Sequence, residues 1–458
     1  MKIEFERKIY AQLLRWAKNK KKTDALLIEG ARRVGKTTIV KTLAKEAYDD
    51  YIYIDFKIAS DELKQLFNPS RMANLESFFQ ELFLLCGKSV KEGSLIIFDE
   101  VQYCLKARED IKYLVADGRF DYIETGSLIT ITSNEENIQI PSEETDIHMY
   151  PMDFEEYLWA IGKKDTYKTV AELASKKKKI PETVHNLMVS EFRKYMLIGG
   201  MPQSLAALLS TNSYFEAEKA KQRILNLYYG DLAKYDAKHG TICELIFKDI
   251  PSQLAKERDS YRFIPNVTQS RADSIRISKS IDALNDFLMA TTVYRSPDLS
   301  SFLESGKDKT FYKFYYVDIG LLFTAYLHLP EEEVGQVYSK LLHGNSGINL
   351  GGITESMVAQ ILISRQIKPY YHTYLFYDGD KEKEKRYEID FAFSYKLSTV
   401  IFKVKSTLKY KTESLDCFHL KYPSIKARKY VVGFKNYQND GSKTTLPIYL
   451  LPSFDFFN

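Results

Sequence analysis

The chain has 458 residues, of which 45% are hydrophobic and 28% charged, with a formal net charge of +4. That is the make-up of an ordinary folded protein of two to four domains: it excludes a disordered chain and a membrane span, and the charge is too small to argue nucleic-acid binding by itself. Cys86, Cys104, Cys243 and Cys417 stand far apart without CxxC spacing, and the seven histidines form no ligand pair at helical spacing, so neither a disulfide framework nor a zinc site is expected.

In chain order, Met1 to Arg7 is charged and lacks the apolar centre of a secretory signal, so a cytoplasmic location is expected. Phe5, Ile9, Leu13 and Trp16 form a helical stripe, and Lys18 to Lys22 reads as a solvated linker. The apolar run Ala25 to Ile28 predicts a strand. It leads into Gly30, Ala31, Arg32, Arg33, Val34, Gly35, Lys36, Thr37 and Thr38, a complete GxxxxGK[ST] pattern, and then into a predicted helix reaching Tyr48. Glycines let such a loop turn its N–H groups inward, and the start of the helix adds positive potential, together making a socket for phosphate. Lys36 is placed to reach the β- and γ-phosphates of a nucleotide, and the Thr37 hydroxyl to hold Mg²⁺.

Tyr51 to Phe56 predicts a second strand, and Asp61 to Phe67 and Met72 to Cys86 predict helices. Ser94 to Phe98 is a third strand ending in Asp99 and Glu100. After a phosphate loop, that pair reads as a metal-orienting carboxylate, Asp99, and a general base for the attacking water, Glu100. A helix from about Ala107 to Ala116 leads to a strand over Phe120 to Thr125. Ser127, just beyond it, is open to two readings, a γ-phosphate sensor or the helix-capping serine of a glycine turn. A fifth strand near Asp146 to Tyr150 precedes Asp153 and Glu156, spaced as a capping box. Strands alternating with helices give a parallel sheet covered on both faces.

From Tyr157 the pattern is helical, with Ser175 to Lys179 an exposed lysine run and Gly199-Gly200-Met201-Pro202 a stop; this region reads as a lid. Helices at Ile242 to Ala255 and Ile275 to Met289, followed by β-type runs at Thr291 to Arg295 and Phe311 to Val317, suggest a winged helix. Such a module either presents Arg276, Ser278 and Lys279 to a DNA groove with Lys313 on the wing near phosphate, or serves as a protein-interaction or lid element. After a glycine-containing break from Gly344 to Gly352 come a helix over Ile353 to Ser364 carrying Glu355, and strands at Tyr370 to Tyr377, Tyr387 to Ser394 and Thr399 to Val404. They describe a separate small α/β domain.

Phe98-Asp99-Glu100-Val101-Gln102, Thr125-Gly126-Ser127, Pro151 to Tyr157, Gly199 to Pro202, Tyr316 to Leu322 and Glu388 to Phe391, in this order after the phosphate loop, resemble the predicted AAA-type ATPases of bacteria and archaea. The resemblance implies an α/β chain with a P-loop domain over 1–160, a helical lid over 161–236, a winged-helix-like domain over 237–335 and a restriction-endonuclease-like domain over 345–458. It implies ATP and Mg²⁺ as ligands and ATP hydrolysis as the activity, driving a conformational switch on DNA or a partner protein. In active nucleases of the C-terminal fold, a helix acid, a strand Asp and an ExK gather Mg²⁺. Glu355, Asp390 and Lys405 fit three of these places, but Lys403 stands where the glutamate belongs, so the domain is expected to be degenerate unless Glu388, on the face of Asp390, replaces the missing ligand. Two alternatives stay open: an ATP-gated nuclease, and a nucleotide-holding DNA- or protein-binding module with little turnover.

Overall fold

The computed structural model describes residues 4–19, 23–127, 141–256, 271–300, 303–304, 306–342, 350–377, 384–396 and 398–456. Most of the expected linker after Lys18 and most of the break after Gly344 lie outside them. The chain divides into two compact units. One is residues 1–150 with 237–239 and 286–288, and the other is formed by the rest.

The first unit is built on five parallel strands, β1 (Ala25–Gly30), β2 (Tyr51–Asp55), β3 (Leu95–Asp99), β4 (Asp121–Ser127) and β5 (Glu144–His148), in the order β2-β3-β4-β1-β5. The period of two sorts side chains to opposite faces. Ile52 and Ile54 of β2 and Ile96 and Phe98 of β3 join Phe78, Phe79 and Leu82 of helix Leu75–Leu85 and Ile111 and Leu114 of helix Leu105–Asp117 in one core. Its rings tile edge to face, with Phe67 about 5.5 Å from both Phe78 and Phe98. Helix Lys36–Ala47 covers the other face, packing on β1, β3 and β4. Parallel strands place all their carboxyl ends at one edge, and because β4 runs between β1 and β3, it stands between the phosphate loop and Asp99.

The second unit joins its helices to an eight-stranded mixed sheet of β6 (Ala290–Arg295), β7 (Asp308–Tyr316), β8 (Tyr370–Phe376), β9 (Lys385–Tyr395), β10 (Ser398–Lys405), β11 (Ala427–Gly433), β12 (Gln438–Asn439) and β13 (Thr444–Pro447), ordered β12-β13-β11-β10-β9-β8-β6-β7. The ribbon read from sequence as the wing of a separate module is therefore the edge of this sheet. β6 pairs with β7 in antiparallel fashion and with β8 in parallel, Tyr294 lying opposite Tyr370. The lid, winged-helix and C-terminal segments fall in one compact unit, because β8 supplies the hydrogen bonds that an isolated ribbon would leave open.

Three short sequences meet inside this unit. Met152 N–H donates to Gly200 O at 2.7 Å, the Tyr195 hydroxyl donates to Met152 O at 2.7 Å, and Gly200 N–H donates to the Asp318 carboxylate at 2.6 Å. Asp318 also caps helix Ile319–Leu327 through Leu321 N–H at 2.9 Å, and Gln360 closes the knot by accepting from Ile319 N–H and donating to Tyr195. Pro151 to Phe154, Gly199 to Pro202 and Asp318 to Leu321 are thus mutual partners. A Cβ on Gly200 would be driven into the backbone of Met152.

Gly200→Ala is expected to destabilise this unit by about 3 kcal/mol, because no rotamer relieves a clash between a Cβ and backbone. Gly230→Ala, on an exposed face of helix Tyr214–His239 where a Cβ meets nothing, should instead gain about 0.5–1 kcal/mol. Thermal unfolding of the two variants checks the contrast.

Candidate functional site

The phosphate loop connects β1 to helix Lys36–Ala47. Gly35 adopts φ 108°, ψ 18°, a left-handed turn suited to glycine, and a Cβ on Gly30 would strike the Met149 carbonyl oxygen. Both glycines are therefore required by geometry as well as by pattern. Ala31 and Val34 are buried and pin the loop to the core, Arg32 is half-buried, and Arg33, at φ 71°, is exposed. Arg7 straps the loop from outside it. Its guanidinium donates to Val34 O at 2.8 Å and to Tyr150 O at 2.6 Å, tying the loop to the chain just past β5.

Lys36 is 8% exposed, and its ammonium donates to Gly30 O at 2.7 Å and Ala31 O at 3.1 Å. Burial lowers its pKa to about 8, against the pull of Glu100 and Asp99. Thr37 stands in the first turn of the helix and donates to Asp99 Oδ2 at 2.9 Å. Asp99, the last residue of β3, is buried and also accepts from the hydroxyls of Thr125 on β4 and Tyr53 on β2. The tyrosine's ring lies 3.5 Å from the Lys41 ammonium, and its pKa is raised by burial and by its bond to Asp99. A hydroxyl and a carboxylate converging beside a buried lysine form a donor set that fits Mg²⁺ with nucleotide phosphates.

Glu100 lies in the left-handed region at φ 55°, ψ 47°, a conformation that costs a non-glycine residue about 1–2 kcal/mol. Its carboxylate accepts a hydrogen bond from the Gln102 amide, which fixes its direction. Ser127 ends β4, buried, opposite Gly30 in the β1–β4 register. Thr38 follows Thr37 in the helix, its carbonyl accepting from Thr42. Arg7 and Tyr53 carry no motif in the sequence, and Thr125 and Gln102 enter it only as members of short motifs, without a role of their own. Tyr53 carried a faint signal, since strand alternation puts it on the face of Asp55 and opposite to Ile52 and Ile54.

The second unit gathers another set. Carboxylate oxygens of Glu355, Glu388 and Asp390 lie within 4.8 Å of one another. Two lysines are already among them. Lys313 donates to Glu355 at 3.0 Å and to Glu388 at 2.7 Å, and Lys403 donates to Asp390 at 2.6 Å. Burial works against both ammonium groups, but the carboxylates outweigh it and raise both pKa values. Lys313 is thus a buried member of this cluster, not a contact on an exposed wing, because its strand is part of the same sheet. Of the groove-reading set, Arg276, Ser278 and Lys279 are exposed, with Arg276 donating to Gly240 O at 2.9 Å. No described helix is long and apolar enough to cross a membrane.

Residues 22–158 match a family model described as AAA domain, and residues 189–333 match one described as a domain of unknown function (DUF8612). No curated protein matches the chain. Among solved structures it is similar, at 12% identity, to Cdc6p from Pyrobaculum aerophilum over 75% of this chain and 96% of that one, with a TM-score of 0.28. It is similar at 11% identity to protein VC1899 from Vibrio cholerae over 90% of this chain and 89% of that one, with a TM-score of 0.15. Likenesses that loose carry no argument. The match over residues 22–158, together with the parallel sheet and the phosphate loop, supports an AAA-type P-loop domain and ATP binding in general terms.

Phosphate favours the ammonium form of Lys36, so nucleotide binding should take up a proton wherever the free lysine has lost its own. ATP affinity is expected to be flat below pH 8 and to fall by up to tenfold per pH unit above it. Lys36→Arg, which cannot deprotonate in this range, should abolish the slope. Equilibrium binding of a fluorescent ATP analogue between pH 7 and 9.5 measures both.

Proposed function

We propose that the chain is a Mg²⁺-dependent ATP hydrolase whose cycle drives a conformational switch. The observation that carries this reading is the joining of Thr37 and Asp99 at 2.9 Å, at the foot of a complete phosphate loop and beside the buried ammonium of Lys36. In this reading the loop N–H groups from Ala31 to Thr38 cradle the phosphates. Lys36 exchanges its bonds to the Gly30 and Ala31 carbonyls for the β- and γ-phosphate oxygens. Thr37 and Asp99 would hold Mg²⁺, which neutralises the charge that develops on those oxygens when the bond to the leaving group breaks. Glu100 takes a proton from the attacking water, with Gln102 setting the direction of its carboxylate, and Ser127 faces the γ-phosphate.

A physical basis for switching lies in the partners of Asp99. Its hydrogen bonds come from β2, β4 and the helix after the phosphate loop. A ligand that takes a lone pair now used by one of these hydroxyls loosens that contact, which couples occupancy to the packing of the sheet edge. The nuclease alternative is weakened by Lys313 and Lys403, which hold the carboxylates that a catalytic metal would need. DNA or a protein is the expected recipient of the switch.

Glu100→Gln is expected to bind ATP within a few-fold of the wild type while lowering steady-state phosphate release by about 10²–10⁴-fold, the usual contribution of a positioned general base. Equal release from wild type and variant, at matched nucleotide occupancy and with duplex DNA both present and absent, would remove hydrolysis from the proposal and leave a nucleotide-holding module.

A further inference from the structure

One buried acid of the first unit takes no part in the site at the phosphate loop. Glu124 of β4 is 0% exposed, and neither of its carboxylate oxygens meets a hydrogen-bond donor. In the strand register Leu27 of β1 lies opposite Glu124 on one side and opposite Asp146 of β5 on the other, and Ala25 lies opposite Glu144. The period of two puts Glu124 and Glu144 on one face, where the single methyl of Ala25 leaves them room to meet across β1. Phe98, not Asp99, is the β3 partner of Glu124, so this is the face away from the Asp99 carboxylate.

Arg108, buried on helix Leu105–Asp117, donates to Glu144 through Nε at 3.1 Å and through Nη2 at 3.0 Å. Two carboxylates only accept, so if both were ionised they could not satisfy each other, and the pair would set two negative charges against one guanidinium. A single proton removes both difficulties. As a carboxylic acid Glu124 donates to Glu144, and Glu144 keeps its charge for Arg108. Among the described residues the charged groups facing Glu124 are Glu144 and Asp146 on β5 and Arg108 on the helix, while its strand neighbours Leu27 and Phe98 are apolar. Burial first, then Glu144 and Asp146, hold the proton on Glu124 well above the usual carboxylate range, against the pull of Arg108.

We propose that Glu124 and Glu144 share one proton, and that this proton is a pH-sensitive clasp holding the edge strand β5 to the centre of the sheet. The clasp bears on the phosphate loop, because β5 runs on into the residues against which the loop rests. Met149 N–H donates to Glu29 O at 2.7 Å, the Met149 carbonyl lies against Gly30, and the Tyr150 carbonyl takes a hydrogen bond from Arg7. When the proton leaves to solvent, two carboxylates face one guanidinium, Asp146 adds to the repulsion, and β5 loosens. The device is independent of ATP hydrolysis and of any metal.

The test uses the full chain without nucleotide and compares wild type with Glu124→Gln, whose amide also donates to Glu144 but carries no titratable proton. The infrared difference spectrum between the two at neutral pH should contain the C=O stretch of a protonated carboxyl belonging to the wild type. Glu144→Gln should lose the same band, because its amide then donates to an ionised Glu124; it also serves as the comparison if Glu124→Gln does not fold. An unfolded glutamate gives up its proton above about pH 4, whereas the clasp keeps it, so the closed state loses stability as pH rises. Hydrogen exchange over residues 141–150, corrected for the intrinsic rate, should show wild-type protection falling by up to tenfold per pH unit between pH 6 and 9 and level protection in Glu124→Gln. Absence of the carboxylic-acid band from the difference spectra would overturn the shared proton. An equal pH slope of protection in wild type and variant would overturn the clasp.

Discussion

A carboxylate placed inside a protein costs several kcal/mol unless hydrogen bonds replace the water it has lost. The first unit is arranged around that requirement at Asp99. Its three donors are hydroxyls from three elements, Tyr53 on β2, Thr125 on β4 and Thr37 on the helix after the phosphate loop. Strand order is what makes this possible. Only with β3 lying between β2 and β4 do a tyrosine and a threonine from neighbouring strands reach the same acid. Hydroxyls are neutral, so they satisfy the oxygens without cancelling their charge.

The second unit meets the same cost at Asp318 in another way, with backbone N–H groups of Gly200 and Leu321 as donors. Backbone donors are fixed in space, and Asp318 therefore does more than cap a helix. It holds the glycine turn after helix Glu182–Ile198 against the start of helix Ile319–Leu327, and at that close approach only glycines fit. Gly320 lies where a Cβ would come within 2.5 Å of Ile198 O. The glycines at 199, 200 and 320 and the aspartate at 318 are one device, although a long stretch of chain separates its two parts.

What could be read from the sequence follows from how local each feature is. The phosphate loop and the Asp99-Glu100 pair are contiguous and flanked by an apolar strand, so pattern and context are visible together. The parallel sheet followed from the alternation of strands and helices. The partners of Asp99 were hidden, since Tyr53 and Thr125 reach it through strand order, and Arg7 reaches Val34 across 27 residues with no local pattern to mark it. The ribbon at β6 and β7 was legible as two strands. Its neighbour β8 begins at Tyr370, far along the chain, and nothing in the ribbon's own residues announces that a third strand pairs with it. That hidden pairing is also why Lys313 was read as a surface residue.

The contrast between the two acidic clusters then becomes a matter of counter-ion chemistry. A neutral hydroxyl shell leaves Asp99 with its charge facing a buried lysine and a phosphate loop. Glu355, Glu388 and Asp390 face Lys313 and Lys403 at hydrogen-bonding distance, and each ammonium supplies the positive charge that a metal would otherwise bring. An ammonium on a covalent stem cannot dissociate, has no open coordination position and cannot lower the pKa of a bound water as a metal does. Lys403, joined by Lys313 from a strand remote in sequence, thus gives a cluster with the outline of a metal centre two fixed positive charges of its own.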